Sequence, residues 1–293
     1  MFFTQLLISG LMVGCIYAVI AIGFVIIYKS SKVLNLAQGE LVLIGPYICV
    51  SLITECHLPY FWSFVISLLI CFCVGLLIER AFLRPLIGEP ILSVIMITIG
   101  ISSLIKGITF IAWSGTTKVF PQIFSMTPYM IGDEIVIPRL YLWASVLSIL
   151  LLGGFMVFFK TSMIGLTLRS VASHQTAAQS MGVSVKKVFA LSWGIAAFVS
   201  ALGGIIIGNV GGVREGISYF GLKVLSVVIF GGLDSLIGAF IGGLVVGVLE
   251  NMAGGYLDLV LEGVKDVAPF IFLVAVLMIR PYGLFGTKEI ERL

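Results

Sequence analysis

Charged residues are scarce in this chain. Asp, Glu, Lys and Arg make up 11% of its 293 residues, whereas an ordinary soluble domain has about 25%. Apolar residues make up 60%, and the mean hydropathy is +1.20. A soluble globule of this size has no place for so much apolar surface. The composition excludes a soluble enzyme, a disordered chain and a nucleic-acid-binding protein, and it predicts an all-α polytopic membrane protein.

Residues that bind metals or perform catalysis are also few. The two histidines, His57 and His174, lie far apart, and no Cys-x-x-Cys spacing occurs. The five cysteines are Cys15, Cys49, Cys56, Cys71 and Cys73. We therefore predict no metal site and no catalytic group. No G-x-x-x-x-G-K-[ST] phosphate loop is present. We expect no enzyme activity and no cofactor in this chain, so an ATP-driven process requires another subunit.

Long apolar runs fill more than half of the chain. About 20 apolar residues cross the hydrocarbon of a bilayer, and their unbroken character differs from the alternation of barrel strands. We predict one transmembrane domain over residues 1–293 with about nine segments, eight to ten being the range. They are 5–28, 34–54, 61–79, 92–112, 141–159, 189–209, 221–232, 236–252 and 267–279. Whether the short segment 221–232 crosses or re-enters is left open.

Lys and Arg alternate between dense and sparse connections. The connection 55–60 has none, and the loop 113–140 has Lys118 and Arg139 over its whole length. The dense connections carry Lys29 and Lys32, then Arg80 and Arg84, then Lys160, Arg169, Lys186 and Lys187, and finally Arg280, Lys288 and Arg292. Because basic residues favour the cytoplasmic side, we predict the N-terminus outside, 113–140 as an extracytoplasmic loop, and both the loop 160–188 and the C-terminus in the cytoplasm.

Isolated polar residues near the ends of segments have simple interpretations. Lys106 lies near the outer end of its segment and is expected to snorkel to the interface. Glu250 and Asn251 end the eighth segment and are expected to reach the outer surface. Trp113 and Trp143 are expected near the outer surface, as interfacial anchors are.

Two polar, glycine-containing breaks interrupt the apolar runs, one near residues 35–40 and one near 230–238. Both begin apolar helices at the predicted inner side, which indicates discontinuous helices in two pseudo-repeated, inverted halves. An unpaired carboxylate is costly in hydrocarbon, so Glu40 should face protein or a water-filled cavity. The residues predicted to line or gate a solute pathway are Asn35, Gln38, Gly39, Glu40, Gly231 and Gly232. An alternative for the first break is a capped helix start, with Asn35 as N-cap and Gln38 three residues later, and both interpretations can hold together.

The cytoplasmic loop 160–188 is polar and rich in Ala. Its residues 166–181 predict a short helix that Gly182 ends. Small residues on one side of this helix allow another protein to approach closely. The alternative is an amphipathic helix that rests on the membrane surface, which the weak apolar face disfavours.

This loop resembles the coupling loop of ABC importer permeases, which begins Gly-x-x-x-Arg-x-x-Ala and continues with a central Ala and a second Gly. The residues that match are Gly165, Arg169, Ala172, Ala178 and Gly182. The opening of the chain is similar to the branched-chain amino acid permeases of the LivH type. That likeness rests on Gly10, Gly14, Tyr17, Ala18 and Gly23, the island from Asn35 to Glu40, and Gly45-x-Tyr47.

Later motifs resemble the same family, so that the likeness covers nearly the whole chain. They are residues 230–233 with Gly238, and the ending 280–286. Gln38 stands where many members have His, and Pro46 stands where a small residue is common. These two departures bear on the exact substrate more than on the class of protein.

The resemblance implies a permease subunit of an ATP-driven importer in the bacterial inner membrane. Two cytoplasmic ATPase subunits, which hold ATP and Mg²⁺, would dock on residues 160–188. A second, related permease chain would complete the pore. An extracytoplasmic binding protein would deliver the solute, with residues 113–140 and 253–266 as candidates for its docking. The implied mechanism is alternating access, in which each ligand shifts the equilibrium by its differential affinity for the two states.

The implied substrates are branched-chain amino acids or similar hydrophobic or neutral ones. Urea, amides and other small solutes are alternatives within the same family, and selectivity can rest largely with the binding protein. An ion-coupled secondary transporter is a further alternative. It would need Glu40 and Asp234 as its coupling groups.

Overall fold

The computed structural model describes residues 2–121, 128–131, 135–173, 175–258 and 261–286. These residues are mostly helical, as predicted. The α-helices are α1 (Phe2–Ser31), α2 (Gln38–Thr54), α3 (Tyr60–Ile78), α4 (Ile91–Trp113), α5 (Arg139–Thr161), α6 (Met163–Ser173), α7 (Gln175–Ser180), α8 (Val185–Gly211), α9 (Tyr219–Gly231), α10 (Leu236–Tyr256) and α11 (Val264–Ile279). A π-helical turn (Glu79–Leu83) and a 3₁₀ turn (Arg84–Leu86) follow α3, and a second 3₁₀ turn (Glu215–Ser218) precedes α9.

Six helices in the described ranges are long and apolar enough to cross a membrane. They are Phe2–Ser31, Tyr60–Leu86, Ile91–Trp113, Arg139–Thr161, Val185–Gly211 and Leu236–Tyr256. The predicted segments 34–54, 221–232 and 267–279 are helical as well, but α2, α9 and α11 have 17, 13 and 16 residues. A straight crossing uses about 20 residues. The chain is therefore a multi-pass membrane protein with six helices of spanning length.

The predicted loop 113–140 contains a strand pair, which an all-α fold lacks. β1 (Tyr129–Ile131) pairs antiparallel with β2 (Ile135–Ile137), with Tyr129 opposite Ile137. Their β-branched and aromatic residues favour extended backbone. Residues 122–127 and 132–134 of this loop lie outside the described ranges. The strictly all-α prediction is thus wrong at one short hairpin.

The chain forms two compact units. The first unit contains Met1–Ala21, Gln122–Leu152 and Lys223–Leu293, and the second contains Ile22–Pro121 and Gly153–Leu222. In the first unit, α1 and α10 touch along their backbones through two Gly-x-x-x-Gly pairs. A Cβ atom added at Gly14 would lie 2.6 Å from the carbonyl oxygen of Gly243, and one added at Gly247 would lie 2.5 Å from the Cα of Gly14. Close packing of this kind drives helix association in bilayers.

In the second unit, α2 is almost completely enclosed. Every residue from Gln38 to Val50 except Ile48 is buried, and α3 and α8 pack against this helix. A Cβ atom added at Gly45 would lie 2.6 Å from Ala201 on α8. Small residues thus bring α2 and α8 together. The polar residues at the start of α2 are consequently held within protein.

Candidate functional site

The break between α1 and α2 holds a buried polar cluster in the second unit. The Asn35 side-chain Nδ2 donates to Oε1 of Gln38 at 2.9 Å, and Nε2 of Gln38 donates to Oγ of Ser200 on α8 at 2.5 Å. All three side chains are buried. The two amides and the hydroxyl therefore supply one another with the partners that buried polar groups require.

The alternative interpretation of the first break, with Asn35 as the N-cap of α2, does not match the structure. α2 begins at Gln38, and Ala37, the residue before it, makes no side-chain cap. Asn35 instead accepts a hydrogen bond from the backbone N–H of Ala37 at 3.0 Å. A short amide side chain often closes a turn with the backbone two residues on, and that local turn displaces the helix start toward Gln38.

Gly39 lies where the start of α2 crosses the segment that leads into α9. A Cβ atom at Gly39 would collide with the carbonyl oxygen of Ser218, and one at Gly221 would collide with Gly39 itself. The two backbones are thus in direct contact within the second unit. Any larger residue at either position would push them apart.

Glu40 is a buried carboxyl with incomplete partners. Its Oε1 accepts from Oγ of Ser102 on α4 at 3.5 Å, while Oε2 has no hydrogen-bond partner among the described residues. Lys106, one turn further along α4, is exposed and lies over the Tyr219 ring, with its Nζ 5.8 Å from the ring centroid. A buried charged acceptor without a partner is costly. Glu40 is therefore the residue of this cluster that most clearly calls for a further interaction.

The second predicted break lies in the first unit, between α9 and α10. Gly231 ends α9, and Gly232 follows with φ +105°, which favours glycine. Ser235 caps α10 by accepting from the N–H of Gly238 at 3.0 Å. Asp234, the other coupling group of the secondary-transporter alternative, lies in the turn between the two helices. The six predicted pathway residues thus form one group in each unit.

The C-terminal segment holds this turn in place. The backbone N–H groups of Leu284 and Phe285 donate to the carbonyls of Phe230 and Gly231 at 2.9 and 3.1 Å. Gly283 has φ +73°, and a Cβ atom there would lie 2.5 Å from the carbonyl oxygen of Ile229. Two motifs that are distant in sequence, 230–233 and 280–286, therefore form one backbone-bonded structure.

A charged network in the first unit, which the sequence did not lead us to predict, runs from the buried Glu250 through Lys223 to Asp266, whose side chain is 70% exposed. The Lys223 ammonium on α9 donates to Oε1 of Glu250 on α10 at 2.8 Å and to Oδ1 of Asp266 on α11 at 2.6 Å. The Tyr17 hydroxyl on α1 donates to Oε2 of Glu250 at 2.5 Å. We expected Glu250 to reach the outer surface, but its side chain is 3% exposed. Opposite lone charges in two apolar segments were the signal, because such charges pair inside membrane proteins.

Residues 162–182, which resemble part of a coupling loop and are called the coupling segment below, contain two short helices, not the one helix predicted over 166–181. α6 begins three residues earlier, at Met163, because Oγ of Ser162 accepts from the N–H of Gly165 at 2.9 Å and so caps the helix. α7 ends at Ser180, and Gly182 follows with φ +85°. The predicted stop at Gly182 is confirmed. His174, between the two helices, lies outside the described residues.

Gly165 and Arg169 join the coupling segment to the end of α5. A Cβ atom at Gly165 would collide with the carbonyl oxygen of Phe159. The Arg169 guanidinium donates to the carbonyls of Phe159 and Lys160, the latter at 3.2 Å. It thereby satisfies carbonyls that the end of α5 leaves open. Of the matching residues, Gly165 and Arg169 thus fix the position of α6.

The remaining matching residues differ in exposure. Ala178 is buried and Ala172 is partly buried, whereas the position of Gly182 faces open space. Two large apolar side chains of the same segment, Met163 and Met181, are 80% and 85% exposed. The sequence did not lead us to predict the exposure of these two side chains.

Trp113 and Lys118 form hydrogen bonds with side chains at the C-terminal end of α2, in the second unit. Nε1 of Trp113 donates to Oγ of Ser51 at 2.6 Å, and the Trp113 ring stacks on Tyr47 with 5.2 Å between centroids. Nζ of Lys118 donates to Oε1 of Glu55 at 2.5 Å. This hydrogen bond and the ammonium charge hold the pKa of the exposed Glu55 carboxyl below its ordinary value. The start of the 113–140 loop is thus tied to the end of α2.

Six helices of spanning length among the described residues place the chain among multi-pass membrane proteins. The chain belongs to the family described as "Branched-chain amino acid transport system / permease component", which matches residues 6–279.

Characterised relatives are similar over almost their full length. The chain is 29% identical to the high-affinity branched-chain amino acid transport system permease protein BraD of Pseudomonas aeruginosa, over 99% of this chain and 98% of BraD. It is 27% identical to the permease protein LivH of the corresponding Escherichia coli (strain K12) system, over 100% of this chain and 98% of LivH. It is 25% identical to the ribose import permease protein RbsC of Haemophilus influenzae, over 93% of this chain and 83% of RbsC.

Proposed function

We propose that this chain is the permease subunit of an ATP-driven importer of branched-chain, or similar hydrophobic and neutral, amino acids. The observation that carries the proposal is the family match over residues 6–279, with relatives named for branched-chain amino acid transport that align from end to end. The chain does not hydrolyse ATP in this proposal. Separate ATPase subunits bind ATP and Mg²⁺, and the permease itself carries no cofactor.

The proposed topology has about nine crossings, with the N-terminus outside and the C-terminus in the cytoplasm of a bacterial inner membrane. α2 supports it, since its 17 residues reach the lower limit for a crossing helix, and the non-helical backbone before it is held within protein. The two helix breaks, before α2 and before α10, are consistent with two pseudo-repeated, inverted halves. The connections rich in Lys and Arg support this orientation, because such connections favour the cytoplasmic side.

In this proposal the solute pathway uses Asn35, Gln38, Gly39, Glu40, Gly231 and Gly232. The unpartnered oxygen of Glu40 supports such a role, because a buried charged acceptor is satisfied by a passing solute, by water or by a neighbouring chain. Glycines at both breaks permit close approach of backbone groups that bind a solute. Transport then proceeds by alternating access, and tight binding of the amino acid by the permease is not required.

The two ATPase subunits are proposed to dock on the coupling segment of each permease chain, α6 and α7 with Gly182. The exposed Met163 and Met181 supply apolar contact, and the open space at Gly182 admits a close neighbour. Gly165 and Arg169 transmit the movement, since they tie α6 to the last turn of α5. The small side chains of Ala172 and Ala178 allow the ATPase to approach the helix backbones closely.

The remaining proposed partners are a second, related permease chain and an extracytoplasmic binding protein. Residues 113–140 and 253–266 are the proposed docking surface of the binding protein. Because selectivity can rest with that protein, the substrate class has to be measured. The similarity to a ribose permease makes a sugar a necessary competitor in that measurement.

Co-purification tests this assignment. The tagged chain is extracted from its native membrane in mild detergent, and the bound proteins are identified by mass spectrometry. We expect two ATPase subunits and a second permease chain. The binding protein encoded with them is then screened for leucine, isoleucine, valine, urea, acetamide and ribose. Recovery of the chain alone, together with uptake that follows an ion gradient, would contradict the proposal.

A further inference from the structure

A cavity of about 130 Å³ lies in the second unit, where α3 ends and α4 begins. Most of its wall is apolar and is formed by Leu83, Leu86, Ile91, Val94, Phe189 and Trp193. Its volume is close to the ~150 Å³ of an engineered cavity that binds benzene. The cavity therefore has room for a small organic group. It shares no residue with the proposed pathway or with the coupling segment.

Glu79 reaches this cavity from the π-helical turn Glu79–Leu83, and turns of this kind are frequent at functional sites. Its side chain is 1% exposed, and Oε2 accepts from Nη2 of Arg84 at 3.3 Å. Oε1 is buried and has no hydrogen-bond partner among the described residues. Arg84 already supplies the Glu79 carboxylate with a counter-charge, so the cavity offers its second, unpartnered oxygen, which favours a hydrogen-bond donor that can enter the cavity.

The other polar side chains of the cavity wall also offer acceptors. Ser31 already donates its hydroxyl hydrogen to the carbonyl of Ile27 at 2.8 Å, which leaves the oxygen lone pairs available. Glu89, on the exposed rim, adds a second carboxylate. Among the described residues, no Lys or Arg side chain lines the cavity. Such a wall is complementary to a cation with several donors.

Water and metal ions suit this wall less well than an organic cation does. Water can enter this cavity and donate to Glu79, but it makes no favourable contact with the apolar part of the wall. Calcium takes six to eight oxygen ligands, and the described part of the chain has no group of three or more His, Cys, Asp or Glu side chains placed for a metal. A primary ammonium brings three N–H donors and one positive charge on an apolar stem.

We propose that this cavity binds a primary ammonium carried on a short alkyl group, with the second oxygen of the Glu79 carboxylate as its acceptor and the apolar wall around the alkyl group. A free branched-chain amino acid and the ethanolamine headgroup of a phospholipid both carry a primary ammonium. Each also carries an anionic group, a carboxylate or a phosphate, which must lie away from Glu79 and Glu89. The choice of an amino acid as one source rests on the proposed function, whereas the ammonium site itself does not.

The test uses the full-length chain in nanodiscs of phosphatidylcholine and phosphatidylglycerol, with isopentylamine as the probe. A ligand that binds the folded state alone raises the midpoint of thermal unfolding in a saturable manner. We expect a saturable rise with isopentylamine. We expect none with isopentanol, which has the same alkyl group without the charge.

Two variants act on the cavity in different ways. Glu79→Gln removes the charged acceptor and is expected to weaken isopentylamine binding about tenfold or more, as loss of a charged hydrogen bond does. Val94→Phe fills the cavity, leaves the Glu79–Arg84 pair intact and is expected to abolish binding. The control Glu89→Gln changes the exposed carboxylate and should have little effect. Equal binding by all variants, or no saturable response to isopentylamine, would overturn the proposal.

Two competition experiments separate the sources. Competition by leucine at constant lipid composition identifies the free amino acid as an occupant. An increase in the apparent dissociation constant of isopentylamine when phosphatidylethanolamine is included identifies the lipid headgroup. Either result supports the site. Because these measurements need neither ATPase nor binding protein, they remain interpretable if ATP-driven uptake fails.

Discussion

Replacing Lys223 by Met should destabilise the first unit strongly, because it leaves a charge buried without its counter-ion. Glu250 is 3% exposed and Lys223 is 12% exposed, so water screens their 2.8 Å contact poorly. Removing one partner of a buried ion pair typically costs about 3–5 kcal/mol of the free energy of unfolding. We expect the lower end, about 3 kcal/mol, because the Tyr17 hydroxyl still donates to Glu250.

The double variant Lys223→Met/Glu250→Gln should be more stable than Lys223→Met alone. It leaves no buried carboxylate without a counter-ion at this point, and the side-chain oxygen of the introduced glutamine can still accept from Tyr17. The double variant should therefore recover at least about 2 kcal/mol relative to the single variant. Lys118→Met is the matched control, since it breaks a similar contact with Glu55, which is 61% exposed, and should change stability little.

The assay is equilibrium unfolding of the purified chain in mixed micelles with increasing SDS, followed by the fluorescence of its four tryptophans. An unchanged midpoint for Lys223→Met would refute the argument, and so would a double variant that is no more stable than the single one. The first result would mean that the network contributes no stability. The second would mean that the loss comes from packing around the lysine stem.

Three further outcomes are expected. Gly182→Arg should uncouple ATP hydrolysis from uptake while the protein still folds and inserts, because the arginine side chain enters the open space proposed for the ATPase. The control Gly182→Ala carries the same backbone strain at φ +85° without the large side chain. Unchanged uptake by the Arg variant would count against the docking assignment. Gly14→Val should lower the yield of monodisperse protein on size-exclusion chromatography, since its Cβ would collide with α10. The control Gly100→Val faces open space and should leave the yield unchanged. Equal elution profiles of the two variants would contradict the packing of α1 on α10. Glu40→Gln should leave the unfolding midpoint unchanged or raised but reduce uptake about tenfold, and full uptake would remove Glu40 from the pathway.

The helices were predictable from the sequence because hydrocarbon leaves the backbone few options. Each backbone N–H and C=O must find a partner within its own segment, so length and apolarity indicate a helix directly. All nine predicted segments contain one. The number of crossings did not follow, since α9 and α11 are shorter than a straight crossing and α2 is at its lower limit. Whether a short apolar helix crosses the membrane depends on the helices that pack around it, and a single sequence does not show which helices those are.

Helix ends were less predictable, because competing local hydrogen bonds decide them. Asn35 has the properties of an N-cap, yet it closes a turn onto Ala37, and α2 begins at Gln38. Ser162 has the same capping chemistry and does begin α6, where we predicted a later start. Both residues can accept from several nearby N–H groups. Which one they use depends on how the flanking helices pack.

The charged network lay beyond what a sequence pattern can show. Tyr17 and Glu250 are 233 residues apart, and their hydrogen bond exists because glycine pairs let α1 and α10 approach. The composition of the two segments predicted close packing without predicting the partner helix. The polar cluster before α2 differs in this respect. Asn35 and Gln38 were identified from their spacing, while their contact with Ser200 on α8 required the fold.

Uptake of labelled leucine tests the proposed function in proteoliposomes that contain this chain, its co-purified ATPases and second permease chain, and the binding protein. We expect leucine accumulation that requires ATP and the binding protein, persists when ion gradients are collapsed, and is inhibited by excess isoleucine or valine. Uptake by the chain alone, driven by an ion gradient and indifferent to ATP, would contradict the proposed function.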